Sequence, residues 1–181
     1  MPDDSTVPST NQNERIAELF LGAAGNGCAE TAFVVLKEAF GLADPESSAA
    51  AMALNGGIAY SGGTCGAVTG AALAVGLLAE GRIADHPAAK SAARRLTAET
   101  LRAFEAEFGS SQCRALTGFD LRTEAGHRRF IEDGAWRVGC TRQIEFVVAN
   151  LAGLANESAW RARLEQLAAE AAAEEASPAG S

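Results

Sequence analysis

Apolar residues recur every three or four positions along most of this chain, which is the period of helices that bury one face. The runs are separated by Gly, Asp and Thr, residues that are typical of helix ends. Residues 58–60, which we predict to be extended, are too few to found a sheet. The pattern predicts helices over residues 14–23, 28–40, 44–55, 65–80, 85–108, a short segment around Cys113, 123–133, 140–151 and 157–175.

Composition strengthens the all-α prediction. The chain has 181 residues, of which 48% are hydrophobic and only 6% aromatic, and Ala and Gly dominate. We predict one compact bundle of about six to eight helices, with a glycine-rich loop leading into the Cys65 helix. The helical domain covers residues 14–155, and a C-terminal helix follows over 156–175. Residues 1–13 are predicted to form a disordered arm and residues 176–181 a frayed tail.

The uncharged stretch of residues 47–79 raises the question of a membrane span. Its longest apolar part, residues 67–79, is shorter than the roughly 20 residues that a spanning helix needs. We therefore predict two buried helices joined by a glycine-rich loop, without membrane insertion. Residues 1–13 are polar and carry Asp3 and Asp4, where a secretory signal would be cationic and then apolar. A cytoplasmic location is expected.

The net charge of −8 argues against a nucleic-acid partner, which would require a basic face. The charge does not identify any other partner. The uncharged stretch is a surface that could join copies of the chain, so a homo-oligomer stays open.

Four small residues, Gly62, Gly66, Gly70 and Ala74, recur every four positions. From Gly66 onward they share one helix face and would let another backbone approach closely.

The chain has four cysteines, and each follows residues that can start a helix: Cys28, Cys65, Cys113 and Cys140. A helix N-terminus offers N–H groups and a partial positive charge, which stabilise a thiolate. Their spacings are 37, 48 and 27 residues, with no Cys-x-x-Cys motif. A shared site would therefore have to be assembled by the fold. Four isolated core cysteines are the alternative.

The segment around Cys65-Gly66-Ala67-Val68-Thr69-Gly70 resembles the C-GCAxxG-C-C family, whose members are described as redox-active and named for four widely spaced cysteines. The order of the central motif here is Cys-Gly-Ala-x-x-Gly. The surroundings of Cys28, Cys113 and Cys140 resemble the other three family cysteines. The resemblance covers about residues 26–153 and implies redox chemistry at the four thiols, which makes an oxidoreductase one candidate.

Three functions remain open for a site of this kind. The four thiolates could ligate an iron–sulfur cluster that exchanges electrons with an unidentified donor or acceptor protein. A metal-free thiol–disulfide enzyme could instead use Cys65 as the attacking thiolate, with Cys28 or another cysteine as its partner. Structural zinc is the third. In each case Gly63, Gly66 and Gly70 would allow the close approach that brings the thiols, or a cofactor, together.

Neither histidine is a candidate ligand, since His86 lies in an Asp-His-Pro helix start and His127 lies among arginines. Both are predicted to be exposed. The arginines near the third and fourth cysteines are predicted to form a solvated face, offset by neighbouring acidic residues.

Overall fold

The computed structural model describes residues 9–176, and these residues form an all-α fold, as predicted. Two short 3-10 helices, Ala49–Leu54 and Gly153–Ala155, accompany the α-helices. Within the described residues, β-pairing is limited to one isolated antiparallel bridge between Thr64 and Gln112. The α-helices are α1 (Thr10–Leu21), α2 (Cys28–Phe40), α3 (Gly66–Arg82), α4 (His86–Phe108), α5 (Cys113–Thr117), α6 (Glu124–Asp133), α7 (Trp136–Ala152) and α8 (Glu157–Ala176).

Helix α2 lies at the centre of the bundle and packs against α1, α3 and α7, while α4 packs on the far side of α3. Its residues Val34 and Leu36 are fully buried, as are Val75 of α3 and Ile144 of α7. Burial on nearly every side of α2 explains why it is hydrophobic almost all round. No helix of residues 9–176 combines the length and hydropathy needed to cross a bilayer.

The contact between α2 and α3 depends on glycines, as the four-residue pattern predicts. A Cβ atom at Gly70 would overlap the carbonyl oxygen of Ala29, and one at Gly66 would overlap Sγ of Cys28. The backbones are therefore closer than any side chain at these two positions would permit. The N-terminal ends of α2 and α3 meet at this point.

We predict that Gly70→Ala lowers the free energy of unfolding by about 1–3 kcal/mol, because overpacking would push α3 away from α2. Gly76→Ala is the matched control, since it lies in the same helix with nothing within 4 Å of an added Cβ. It should raise the free energy of unfolding by about 0.5–1 kcal/mol through helix propensity. Urea unfolding of the two variants checks both signs. Equal destabilisation by the two substitutions would contradict the close approach.

Helix α1 begins at Thr10, four residues before the predicted start at residue 14. Ser9 caps it: its hydroxyl accepts from the N–H of Gln12, and the Gln12 side chain accepts from the N–H of Ser9. This capping box makes residues 10–13 helical although they are polar. The rest of the predicted arm, residues 1–8, and residues 177–181 of the tail lie outside the described residues.

The helix predicted over residues 44–55 is wrong, and the chain forms only the 3-10 helix Ala49–Leu54 there. Asp44 has a φ of 45°, which no helix start tolerates. Lys37, only 3% exposed, donates through Nζ to the carbonyl oxygens of Asp44 and Ser47 at 2.6 Å. This buried ammonium holds the loop in its irregular path. The uncharged stretch thus contains one buried helix, α3, rather than two.

The segment from Gly56 to Tyr60 is left-handed, so the prediction that residues 58–60 are extended is also wrong. All five residues have φ between 49° and 73°, including the non-glycine residues Ile58, Ala59 and Tyr60. Such consecutive left-handed residues are costly for L-amino acids. Backbone hydrogen bonds from this turn to residues 53–55 and from residues 62 and 63 back to Gly56 and Gly57 hold it in place.

We predict that Ala59→Gly raises the free energy of unfolding by about 0.5–1 kcal/mol. Glycine removes roughly 1–2 kcal/mol of left-handed strain from the folded state. Part of this gain is offset because glycine loses more conformational entropy on folding than alanine does. Ala59 is exposed, so no packing is lost. The control is Ala98→Gly, the same change at an exposed position inside α4, which should lower stability by about 1 kcal/mol. Thermal or urea unfolding distinguishes the opposite signs; destabilisation at both positions would contradict the strain.

Two further helices have bounds that differ from prediction, and one side chain predicted to face inward is exposed. Helix α3 begins at Gly66 and passes Gly81 to end at Arg82. Helix α7 begins at Trp136 rather than at Cys140. In α6, Ile131 is 49% exposed, although the pattern placed it inward. Helix α4 agrees with prediction, capped by the Asp85 carboxylate, which accepts from the N–H of Ala88.

Candidate functional site

Cys28 is the first residue of α2 and lies where the N-terminus of α3 meets that helix. Backbone N–H groups of Gly56, Ala29, Cys28 and Gly66 lower the pKa of its thiol. They come from the left-handed turn and from the ends of two helices. As a whole residue Cys28 is partly buried, whereas the other three cysteines are buried.

A polar network fixes the chain around Cys28. The Glu30 carboxylate accepts from the N–H of Gly27 at 2.9 Å, the Ser48 hydroxyl at 2.9 Å and the Asn55 amide at 2.7 Å. The carbonyl oxygen of the Asn55 side chain accepts from the N–H of Ala29 at 3.0 Å. These bonds tie the 3-10 helix to the first turn of α2. The same residue, Asn55, leads directly into the left-handed turn whose Gly56 N–H reaches Cys28.

Cys65 and Cys113 are joined by a backbone clamp. The N–H of Cys65 donates to the carbonyl of Ser111, and the N–H of Cys113 donates to the carbonyl of Gly63, both at 2.7 Å. The N–H of Arg114 donates to Gly62 at 3.0 Å. The Thr64–Gln112 bridge lies between these bonds. These backbone bonds hold together the two segments that carry Cys65 and Cys113, which are 48 residues apart in sequence.

The Cys65 side chain is 3% exposed, and its residue is the N-cap of α3 rather than the first residue inside the helix. Thr64 is therefore not the cap. The Cys65 thiol donates to Oε1 of Gln143 at 3.5 Å. Gln143 lies one turn after Cys140 on α7, so this bond links α3 to the helix that carries the fourth cysteine.

Cys140 is the exception to the helix-start pattern. It lies in the second turn of α7, where the backbone N–H groups are already bonded within the helix. The prediction that each cysteine stands at a helix start is therefore confirmed for Cys28, Cys65 and Cys113 and wrong for Cys140. Its side chain is 8% exposed and still faces the other thiols.

The four thiols lie close enough for their charges to interact. A negative charge on Cys28, Cys113 or Cys140 would raise the pKa of Cys65, and a negative charge on Cys28 would raise the pKa of Cys113 and Cys140. All four are free cysteines, with no disulfide among them. The fold thus brings together residues from α2, α5, α7 and the loop before α3.

Burial raises the pKa of every one of these thiols. It raises the pKa of Cys113 to about 11 and that of Cys140 to about 12, and that of Cys65 well above its usual range. Burial also raises the pKa of Cys28, but the surrounding backbone N–H groups oppose the effect. As free thiols the four side chains are protonated at neutral pH.

We predict that Cys113 in the reduced, metal-free protein reacts with iodoacetamide at pH 9 at least about tenfold more slowly than in the denatured protein. Only the thiolate reacts, and a pKa near 11 leaves little of it at that pH. Peptide mapping by mass spectrometry measures the rate at each cysteine. The folded-state rate should keep rising from pH 9 to 11, whereas the denatured rate levels off.

The same shift fixes the sign of a stability effect. The folded state holds the proton of the Cys113 thiol more tightly than the unfolded state does. The contribution of this proton to the free energy of unfolding is therefore fully present below the ordinary thiol pKa of about 8.5. It is lost as the pH rises toward 11. Folded-state labelling that levels off near pH 9 would contradict the raised pKa of Cys113.

Four neighbouring thiols do not by themselves form a binding site for a single metal ion. Among the described residues, no three His, Cys, Asp or Glu side chains are grouped so that they could hold one metal ion. The donor set nonetheless suits a polynuclear iron–sulfur group, because its four cysteine ligands are shared among several iron atoms. Cys28, Cys65, Cys113 and Cys140 are the residues that would hold it.

A cavity of about 360 Å³ opens onto three of the thiols, those of Cys28, Cys113 and Cys140. Cys65 does not line it. Tyr60 and His127, with ring centroids 4.9 Å apart, line one part of the cavity, and Trp136 and Arg137 line another.

These four cavity residues were missed from the sequence. His127 is partly buried against Tyr60 rather than exposed, and His86 is exposed as predicted. A polar α6 with a histidine one turn before Phe130 was the available signal. Other arginines of this region agree with the solvated-face prediction: Arg114 and Arg122 pair with Asp120, and Arg142 pairs with Glu107.

The three predicted glycines have different neighbours. Gly66 adjoins Cys28, Gly70 contacts the α2 backbone at Ala29, and Gly63 lies against the carbonyl of Gly57 in the left-handed turn. All three permit close backbone approach. Their part in holding a cofactor stays a prediction.

The fold and the site together place this chain among all-α proteins whose four cysteines come from four separate segments. Residues 27–154 match the family model described as "Putative redox-active protein (C_GCAxxG_C_C)", which is more than half of the chain, so the protein belongs to that family. The match spans all four cysteines. Comparisons with curated proteins and with solved structures found no match.

Proposed function

We propose that this protein transfers electrons through an iron–sulfur cluster held by the thiolates of Cys28, Cys65, Cys113 and Cys140. The observation that carries the proposal is that Cys28, Cys113 and Cys140 line one cavity, while backbone hydrogen bonds hold the segment of Cys65 against that of Cys113. Four cysteine thiolates are the usual ligands of [2Fe–2S] and [4Fe–4S] clusters. Such a cluster supplies one-electron transfer when it is bound.

Backbone N–H groups support an anionic ligand set at this position. Those of Gly56, Ala29 and Gly66 act on the Cys28 sulfur, and that of Ala67 acts on Cys65. Hydrogen bonds to ligand sulfurs and exclusion of water tune the reduction potential of a cluster. The chain thus offers donors where a thiolate would carry its negative charge.

Binding of a metal would change the protonation of these buried thiols. Buried, protonated thiols are poor nucleophiles at neutral pH. A coordinated cation reverses this preference, because a thiol that binds a metal gives up its proton. The same burial that disfavours free thiolates would then protect the site from water.

Structural zinc and an iron–sulfur cluster need different arrangements of four thiols. A tetrahedral zinc site places every sulfur about 2.3 Å from one point. No such grouping exists among the side chains of residues 9–176 that the structure describes. A cluster distributes its cysteine ligands over several iron atoms and does not need a single point.

We predict that protein purified without oxygen is brown and contains iron and acid-labile sulfide in matching amounts. Cys28→Ser, Cys65→Ser, Cys113→Ser and Cys140→Ser should each lose most of the iron, because every thiolate is a ligand. Thr141→Ser, next to Cys140, is the control that leaves all four thiols in place. Iron and sulfide analysis, the visible spectrum and circular dichroism of each variant form the measurement.

Colourless anaerobic protein that contains neither iron nor sulfide would contradict the cluster. Zinc in that protein would instead support the structural alternative. Retention of full iron by one of the four serine variants, with its fold intact, would remove that cysteine from the ligand set.

A metal-free dithiol enzyme is the second candidate, and the cavity is the observation that favours it. Cys28 lines the cavity and is partly accessible, whereas Cys65 is buried outside it, so the attacking role fits Cys28 better than Cys65. The Cys28 thiolate would attack a substrate disulfide, form a mixed disulfide and release one substrate thiolate. Cys113 or Cys140 would then displace the second substrate thiolate and leave a disulfide within this chain.

A further inference from the structure

The cavity beside Cys28, Cys113 and Cys140 has the size of a small-molecule site. Its volume of about 360 Å³ falls in the range of roughly 300–1,000 Å³ that is usual for such pockets. It is formed by residues from α1, α6 and α7 together with the loops before α2 and α3. None of the side chains in residues 9–176 that the structure describes fills it.

Aromatic rings form much of its wall. Phe20 of α1 packs edge-on against Trp136 at a centroid distance of 5.3 Å, and Phe130 of α6 lies 6.4 Å from the same indole. Tyr60 and His127 form a second aromatic pair at 4.9 Å. All five residues line the cavity. Rings presented in this way favour a flat conjugated body, which can stack or pack edge-on.

The charge of the lining is opposite to that of the chain. The protein has 23 Asp and Glu residues and a net charge of −8, yet none of the described residues that line this cavity is acidic. Arg137 does line it, with its guanidinium 4.6 Å from the centre of the Trp136 ring. Among the side chains that the structure describes, Arg137 forms no ion pair. A ligand with a negative charge would meet this cation without competing carboxylates.

Apolar side chains around the cavity are more exposed than a bundle of this kind requires. Leu21, Tyr60 and Ile131 are 40%, 44% and 49% exposed, and all three line the cavity. A ligand that covered them would remove apolar surface from water, which favours binding.

We propose that this cavity binds a small organic anion with a flat aromatic body. The ring system lies among Phe20, Trp136 and Tyr60, and its carboxylate or sulfonate pairs with Arg137. Such a ligand would lie against the surface that contains Cys28, where a reaction partner of a redox site would be needed. The binding site rests on the aromatic and charged lining of the cavity and not on the proposed cluster, although three of the proposed cluster ligands line the same cavity.

The test is calorimetric titration of the whole protein, purified without oxygen, with 2-naphthoate as the probe. We expect saturable one-to-one binding. The neutral 2-naphthamide should bind about tenfold more weakly, because it keeps the flat rings and loses the charge. Cyclohexanecarboxylate, which keeps the charge and loses the aromatic body, should also bind more weakly.

Arg137→Gln should weaken 2-naphthoate binding by about tenfold and leave 2-naphthamide binding unchanged. Arg129→Gln is the matched control, since it removes an exposed arginine of α6 that does not line the cavity. The proposal is overturned if neither aromatic probe binds, if the acid and the amide bind equally, or if both arginine variants lose the same affinity. Iron content is measured on the same samples, so failure of the cluster proposal is recorded separately.

Discussion

The close approach of α2 and α3 is the constraint on which the rest of this structure depends. Gly66 and Gly70 have no side chains, and the sulfur of Cys28 and the backbone of Ala29 occupy the space that a Cβ would need. The approach brings the N-terminus of α3 to the sulfur of Cys28. It also positions the loop before α3, which holds Cys65. Close packing of two backbones thus supplies both the core contact and the first part of the site.

Backbone groups do most of the assembly around this contact. The N–H groups of Cys65 and Cys113 donate to the carbonyls of Ser111 and Gly63, which holds the two segments together. Backbone N–H groups from two helix ends and from a strained left-handed turn lower the pKa of Cys28. The carbonyl oxygens of Asn55, Gly56 and Gly57 accept backbone hydrogen bonds that stabilise this strained conformation. Consecutive left-handed residues persist only where the surroundings hold them, and they are concentrated at functional sites. Here the turn delivers the N–H of Gly56 to a thiol.

Burial and charge give the site two distinct sides. On the inner side, Cys65 is shielded from water and bonded to Gln143, so it favours the neutral thiol in the absence of a cation. On the outer side, Cys28 adjoins a cavity with aromatic walls and Arg137. In the electron-transfer role proposed above, the dry inner side would protect the cluster and the open outer side would admit a partner.

The amino-acid sequence by itself determined the helical class, most helix positions, the four-residue glycine spacing and the family, because these depend on local periodicity and on motifs contiguous along the chain. Sequence reasoning failed where long-range contacts override local preference. The left-handed conformation of Ile58, Ala59 and Tyr60 is imposed by neighbouring hydrogen bonds, and buried Lys37 reshapes the segment after Asp44. Only the tertiary structure decided that Cys140 lies inside a helix, that Cys28 rather than Cys65 faces a cavity, and that Tyr60, His127, Trp136 and Arg137 surround it. Those relations join residues far apart in sequence, and no local pattern records which helix faces meet.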